Sequence, residues 1–262
     1  MKLFQGSNFG SFVTKRLCLP LTFLLAAAGL QAASFTFNAT SATACGTGNT
    51  CNGSAVFNIT GTNTFTVTLN NLQTDIKDAG ELLTDLYFTL DGSTVSLVGS
   101  SGTDLTIDGN GVPTTGTTGT LPWAFGQNTG TGGGFLLCVI CGNGVSVGSG
   151  VAPAQGIIDV QASYADANGS IAGSPSHNPF VESGATFSFT SSTALNTNAT
   201  TSPFGNVGLS FGTVFGNEVT TTGGGGGTSG SPAPEPVSML LTGAGLTGLA
   251  LVTRRRLQKA RV

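Results

Sequence analysis

The sequence has few charged residues and, over most of its length, almost no cations. Charged residues make up 8% of its 262 positions, whereas soluble globular chains usually have about 25%. Lys77 is the only Lys or Arg between positions 17 and 253. This scarcity excludes a charge-rich helical bundle, and a body with so few cations is a poor partner for nucleic acid or anionic lipid.

Side chains that commonly carry out catalysis are also scarce. The chain has one histidine, His177, in a Ser-His-Asn-Pro sequence typical of a loop, and no nucleophile elbow surrounds any serine. Asp104 with Asp108, or Asp159 with Asp166, are candidate acid and base groups for glycoside hydrolysis, but spacing along the chain does not fix their separation in space. We therefore expect a protein that is not an enzyme, and a secreted hydrolase ranks third among the candidate functions.

Apolar residues are abundant enough for a folded core, and the charges are sorted along the chain. Hydrophobic residues are 39% of the sequence and include 17 Phe. Disordered chains typically have low hydrophobicity and high net charge, so this composition excludes a chain of that kind. All 12 acidic residues lie between the two basic ends, and eight of the nine cations lie at those ends. Because Lys and Arg that flank apolar segments stay on the cytoplasmic side of a membrane, this sorting indicates that the middle of the chain is exported.

The amino end has the pattern of an export signal. Lys15 and Arg16 precede an apolar stretch, 17–30, which has the length of a signal-peptide core and is short for a spanning helix. Small residues follow at 32–33, so we expect a signal peptide at 1–33 that is cleaved near its end. An uncleaved anchor is the alternative.

The carboxyl end combines a tether, an apolar segment and a basic cluster. A Gly/Ser/Pro linker at 223–233 is flexible and stays open to a processing enzyme. The apolar run 237–253 is 17 residues long, and at about 1.5 Å per residue its helical length is just enough to cross a bilayer core. The glycines of the run leave a smooth face for another membrane helix. The residues that define the tail pattern are Pro234, Glu235, Pro236, Ser238, Gly243, Gly245, Gly248, Arg254, Arg255 and Arg256.

These tail residues resemble the PEP-CTERM sorting signal of Gram-negative bacteria, over 234–262. The resemblance implies that an exosortase recognises the tail in the inner membrane, cleaves near the Pro-Glu-Pro element and passes the preceding domain to the cell surface or its exopolysaccharide. Val237 departs from the family pattern, in which Ser or Thr often follows the second proline. A plain single-pass anchor is the alternative.

Between the two ends, apolar residues alternate with polar ones, which is the period of a half-buried strand. Clear examples are Phe57 and Ile59, then Phe65, Val67 and Leu69, then Phe187 and Phe189. Asp91-Gly92 joins two such segments and favours a tight hairpin turn. About ten short strands with Gly-rich connections predict an all-β fold over 34–222, an antiparallel β-sandwich of jelly-roll type. Asn178-Pro179-Phe180 also resembles a recurrent type of PEP-CTERM domain, which supports β architecture without supplying an activity.

An acidic stripe is the first candidate for ligand binding. Asp75, Asp78, Glu81 and Asp85 have the spacing that would align them on one face of a helix over 74–86. Such a surface suggests calcium or a cationic partner. The simpler interpretation is a solvated face on a short helix or loop, and we favour it.

The second candidate is Trp123, the only tryptophan. It lies in a Gly- and Thr-rich segment, 109–134, which we expect to be a long loop. An exposed Trp123 would stack on a sugar ring, although a lone Trp after Pro122 is more often a packing anchor. A calcium-assisted carbohydrate-binding module is therefore the second candidate function.

Four cysteines remain after signal removal: Cys45, Cys51, Cys138 and Cys141. An even number in an exported chain predicts disulfides, with three connectivities. Pairing of neighbours is simplest, and in the chain-entropy model each such loop contributes only about 2 kcal/mol. The Cys-Val-Ile-Cys spacing also occurs in redox and zinc sites, but no second pair at zinc-finger spacing and no neighbouring base accompany it.

These patterns together predict an exported, exosortase-processed protein of the cell surface or extracellular matrix. Its expected role is structural or adhesive, in exopolysaccharide or biofilm. The expected partners are the exosortase and the inner membrane during processing, and extracellular polysaccharide afterwards.

Overall fold

The computed structural model describes residues 32–41, 50–130, 133–146, 154–216 and 218–221. These residues form strands and one short 3-10 helix, Ala79–Glu81, so the predicted all-β class is confirmed. The strands are β1 (Ser34–Ser41), β2 (Cys51–Gly61), β3 (Thr64–Asn71), β4 (Leu83–Leu90), β5 (Val95–Ile107), β6 (Pro113–Gly119), β7 (Ala124–Gln127), β8 (Phe135–Cys138), β9 (Ile157–Ile158), β10 (Phe180–Ser191), β11 (Phe204–Phe211) and β12 (Glu218–Thr220). No helix among the described residues is long and apolar enough to span a membrane. The predicted linker and sorting helix lie outside the described residues, and so does the predicted signal peptide except for its last two positions, 32–33.

The strands form two hydrogen-bonded groups, here called the first and second layers. The first layer has the order β1-β2-β3-β10-β5-β6, and the second has the order β7-β8-β4-β11-β12. All strand pairs within each layer are antiparallel.

The short strand β9 joins the two layers. Ile157 pairs with Val181 of β10 in parallel and with Leu83 of β4 in the antiparallel direction. Because β4 and β10 run in opposite directions on either side of β9, one of its two pairings must be parallel. The sheet is therefore mixed, and the prediction of purely antiparallel pairing is wrong at β9.

Phenylalanine rings from the two layers meet in a common core, which gives the fold a sandwich-like arrangement. The rings of Phe57 and Phe65 in the first layer have centroids 4.4 and 4.9 Å from that of Phe204 in the second. Phe88, also in the second layer, lies 5.4 Å from Phe57. Alternation in the strands places these rings on one face, and burial of each stabilises the fold by about 2–3 kcal/mol.

A second, smaller cluster covers one end of the first layer. It includes Ile76, Tyr164 and Phe180, whereas Val181 belongs to the main core. Because successive side chains of a strand point to opposite faces, the second cluster lies on the outer face of β10. The segments around Ile76 and Tyr164 are therefore held against the sheet by apolar packing.

Candidate functional site

The four acidic residues of the predicted stripe do not lie on one helical face. The chain forms a loop and a 3-10 helix before β4 begins, as the favoured interpretation of a short helix or loop predicts, but the four carboxylates do not share one solvated face. Asp78 caps the 3-10 helix by accepting a hydrogen bond from Gly80 N to its Oδ1, at 2.7 Å. Glu81 is buried and its Oε2 accepts from Lys77 N, at 2.6 Å, and Asp85 is buried in β4. Packing of Ile76 into the second cluster fixes this path.

Lys77 lies between two aspartates at the protein surface. Its Nζ is 3.3 Å from Asp75 Oδ2 and 3.0 Å from Asp166 Oδ2. The hydrogen bonds to these carboxylates, with their charge, raise the pKa of Lys77, and the same contact with Lys77 lowers the pKa of Asp166. Among the described residues, no group of three or more His, Cys, Asp or Glu side chains is placed to hold a metal ion. The calcium surface stays a prediction. Within the described residues, the structure does not bring a set of metal ligands together.

Trp123 is a packing residue in this structure. It is 5% exposed, its Nε1 donates a hydrogen bond to Gln155 O at 3.0 Å, and its ring centroid lies 5.2 Å from that of Phe187. The interpretation as an exposed sugar-stacking residue is therefore wrong, and the packing alternative holds. The adjacent Leu121 is also buried, and its N–H donates to Ser100 Oγ at 3.0 Å, which draws the segment onto the first layer.

The Gly- and Thr-rich segment around Trp123 is not one long loop. It contains β6 and β7, so the prediction of a loop over 109–134 is wrong. Glycine weakens strands, but β-branched Thr favours them, and pairing with β5 supplies hydrogen bonds that single-sequence patterns do not show.

Three of the four candidate catalytic carboxylates have structural partners, and Asp166 is the one already described beside Lys77. Asp104 Oδ1 accepts a hydrogen bond from Gln155 Nε2 at 3.1 Å. Asp108 Oδ1 accepts from Val112 N at 2.8 Å and Asn110 N at 2.9 Å, in the turn after β5. These bonds lower the pKa of Asp108, that from Val112 most.

His177 lies in a loop, as its flanking residues predict. Its Nδ1 is 2.7 Å from Ser170 O and 3.0 Å from Ser174 Oγ. Both contacts lie within the loop that covers the second cluster and stabilise it, so the imidazole ring has a local structural role.

The cysteines confirm the prediction of disulfides in part. Cys138 and Cys141 are joined, with their Cα atoms 5.2 Å apart, at the end of β8. Cys51 is also disulfide-bonded, and Cys45, which local pairing predicts as its partner, lies outside the described residues.

A feature that the sequence analysis missed is the outer face of the first layer. Its polar residues alternate with the buried ones, so they point away from the aromatic core. Neighbouring strands contact each other across it, for example at 3.2 Å between the Oγ1 atoms of Thr68 and Thr186. We call this the hydroxyl face, and on four strands it consists of Ser34, Thr36, Asn38, Thr40, Ser54, Val56, Asn58, Thr60, Thr64, Thr66, Thr68, Asn70, Gly184, Thr186, Ser188 and Thr190. None of these residues is charged. The sequence pattern that could have revealed this face is the use of Thr, Ser and Asn, rather than Lys and Glu, at the polar positions of the alternating strands.

The sorting residues from Pro234 to Arg256 lie outside the described residues. Comparison of the chain with protein-family models, curated proteins and solved structures gives no match.

Proposed function

We propose that this chain is an exported, exosortase-processed protein of the cell surface or extracellular matrix, with a structural or adhesive role in exopolysaccharide or biofilm. The observation that carries the proposal is the sorting of charge. Eight of nine cations flank the apolar segments at the two ends, and the basic carboxyl end is joined to a Pro-Glu-Pro element. Lys and Arg that flank apolar segments stay on the cytoplasmic side of a membrane, so basic flanks at both ends orient the body between them for translocation.

The body has features that suit an extracellular structural role. A disulfide joins Cys138 to Cys141, and such bonds persist in oxidising compartments. The hydroxyl face offers many neutral donors and acceptors, which suit a polymer rich in hydroxyl groups. The protein has no enzymatic activity in this proposal.

The proposal includes the finer assignment of the fold. We place a jelly-roll-like β-sandwich at 34–222, between a signal peptide at 1–33 and a sorting signal at 234–262. The two facing layers with their aromatic core support a sandwich. The protein is transiently anchored in the inner membrane and then released to the surface.

The first function is preferred to a calcium-assisted carbohydrate-binding module. That module needs an accessible Trp123, and its indole is buried against Phe187. A secreted hydrolase is not favoured either, because Asp104 and Asp108 accept hydrogen bonds from neighbouring protein groups.

Mass spectrometry of the exported protein tests the proposal. In a host with the exosortase, we expect a mature form that lacks the tail from Arg254 to Val262, and the same host without the enzyme should retain the full tail. Glu235→Ala should block processing, while Ser231→Ala, in the linker, serves as the matched control and should be processed normally. An intact tail on surface-exposed protein in both hosts, or the full chain dissolved in the cytosol, would contradict the proposal.

A further inference from the structure

β1 forms one outer edge of the first layer. Among the described strands it pairs with β2 alone, and the pairing runs from Ser34 opposite Asn58 to Ser41 opposite Cys51 without a register shift. The pairing is therefore regular over the eight residues of the strand.

The register identifies the backbone groups that point away from β2. Ile59 N donates to Ala33 O at 2.8 Å, so Ala33 and Ile59 form a hydrogen-bonded pair. Such pairs alternate along an antiparallel ladder, so the odd-numbered residues of β1 bond to β2. The even-numbered residues direct their N–H and C=O groups to the outer edge: Ser34, Thr36, Asn38 and Thr40. No described strand pairs with this row.

The other three edges of the two layers have features that discourage pairing with another chain. β6 begins with Pro113 and has a register shift opposite Asp104. β7 has four residues and β12 has three. Proline, bulges and short length are the usual means of protecting a sheet edge. β1 has none of them, and its sequence, Ser-Phe-Thr-Phe-Asn-Ala-Thr-Ser, contains no charge.

We propose that the outer edge of β1 is an interface for a second copy of this chain, through antiparallel pairing of β1 with β1. The twofold axis passes beside Phe37, so that Thr36 lies opposite Asn38 of the second copy and Ser34 lies opposite Thr40. The inference concerns assembly and does not depend on export or processing.

This register is self-complementary. Every even-numbered residue of one strand pairs with an even-numbered residue of the other, so the two outer rows form about eight N–H···O bonds. Phe35, Phe37 and Ala39 of both copies stay on the core side, because residues opposite each other point to the same face. Since neither strand carries a charge, no repulsion opposes contact between identical edges, and a charged partner strand would gain nothing here.

The oligomeric state of the chain purified from expressing cells, measured by analytical ultracentrifugation, tests the interface. Thr36→Pro removes an N–H that β2 does not use, and proline is tolerated on edge strands. We expect the wild type to dimerise and Thr36→Pro to weaken the dimer at least about tenfold, because each copy loses an interfacial hydrogen bond. Thr36→Val retains the N–H and should dimerise normally, while the circular dichroism of both variants shows whether the monomer is folded.

Disulfide cross-linking tests the register. Two differently tagged copies, one with Thr36→Cys and one with Asn38→Cys, are co-expressed. Hydrogen-bonded antiparallel pairs have Cα atoms about 5.5 Å apart, which lies in the range of a disulfide, so we expect a mixed cross-linked dimer. The matched pair Thr66→Cys and Thr68→Cys, on the central strand β3, should not cross-link.

Three results would overturn the proposal. The first is a monomeric wild type at all accessible concentrations. The second is equal cross-linking at β1 and β3. The third is slow amide exchange of Thr36 and Asn38 in a monomer, which would mean that another segment of the same chain covers the edge.

Discussion

Tyr164 shows how a single buried polar group can make stability depend on pH. Its side chain is 0% exposed within the second cluster. Its hydroxyl donates to Asp159 O and accepts from Gln161 N at 3.2 Å. Loss of solvation on burial raises the pKa of Tyr164 to about 12. The folded protein therefore keeps this phenol neutral at a pH where an unfolded chain would ionise it.

We expect stability to fall at alkaline pH because of Tyr164. Its folded pKa lies above the value near 10 of the unfolded chain, so the stabilisation is complete below pH 10 and is lost as the pH rises toward 12. Tyr164→Phe should be less stable at neutral pH, since two hydrogen bonds are lost, but should show a smaller alkaline decline. Urea unfolding from about pH 8 to about pH 11.5 measures both effects. An unchanged decline in Tyr164→Phe would contradict the assignment.

For individual residues, the sequence predicted the local role better than the tertiary contacts. His177 is in a loop and Cys138 is in a disulfide with Cys141, as expected. Trp123 was open to two interpretations, because nothing near it in sequence shows that Phe187 and Gln155 cover it. Burial of a side chain by distant segments is a tertiary property, and local patterns do not contain it.

The turn between β5 and β6 shows how an element depends on its neighbour. Asp108 accepts from the N–H groups of Asn110 and Val112 and thereby closes the turn. Gly111 has a positive φ of 75°, and a Cβ atom there would lie 2.3 Å from the backbone carbonyl carbon of Tyr164. Tyr164 N donates to Gly111 O at 2.7 Å, so the turn and the cover of the second cluster are in direct backbone contact.

Gly111→Ala should therefore destabilise the protein by at least about 1–3 kcal/mol, through backbone strain and a clash with main-chain atoms. Gly109→Ala, two residues earlier in the same turn, is the matched control, because its Cβ would meet nothing within 4 Å. Its stability should stay within about 0.5 kcal/mol of the wild type. Thermal unfolding of both variants measures the difference, and equal midpoints would show that the turn tolerates a side chain at Gly111.

Strand prediction worked where the alternation of apolar and polar residues was strong, and failed where it was absent. Phe57, Phe65 and Phe187 mark β2, β3 and β10 correctly. β6 lacks apolar positions and was expected to be loop, since its strand state depends on hydrogen bonds to β5. For a related reason, the spacing of the acidic residues does not show that Asp78 caps a 3-10 helix and that Glu81 turns inward.

The aromatic core connects the two layers, so we expect them to unfold together. The ring of Phe65 in the first layer lies 4.9 Å from Phe204 and 6.2 Å from Phe88 in the second layer. It also stacks on Phe189 in its own layer, at 5.0 Å. Loss of this ring removes contacts to both layers at once.

Phe65→Ala should lower the free energy of unfolding by about 3–5 kcal/mol and keep a single transition. Val98→Ala is the control, because Val98 is 61% exposed and its truncation should change stability by no more than about 0.5 kcal/mol. Urea unfolding followed by far-ultraviolet circular dichroism and by the fluorescence of Trp123 measures both variants. Two separate transitions in Phe65→Ala would mean that the layers are independent.

The arrangement of the layers could not be predicted from the sequence. The alternation indicates which face of each strand is buried, but not that β10 lies between β3 and β5. That choice depends on pairing between residues far apart in the chain, such as Phe187 with Val67 and Ser100. The parallel pairing of β9 follows from the directions of its two neighbours, which are fixed only once both layers exist.

Lys77, held between Asp75 and Asp166, has a consequence for proteolysis of the chain. Trypsin-like proteases cut after lysine or arginine, and positions 17 to 253 offer them this single target. With its ammonium group engaged by two carboxylates, even that bond is poorly presented to a protease pocket that needs the same cation. We therefore expect the segment from 17 to 253 to resist digestion by trypsin.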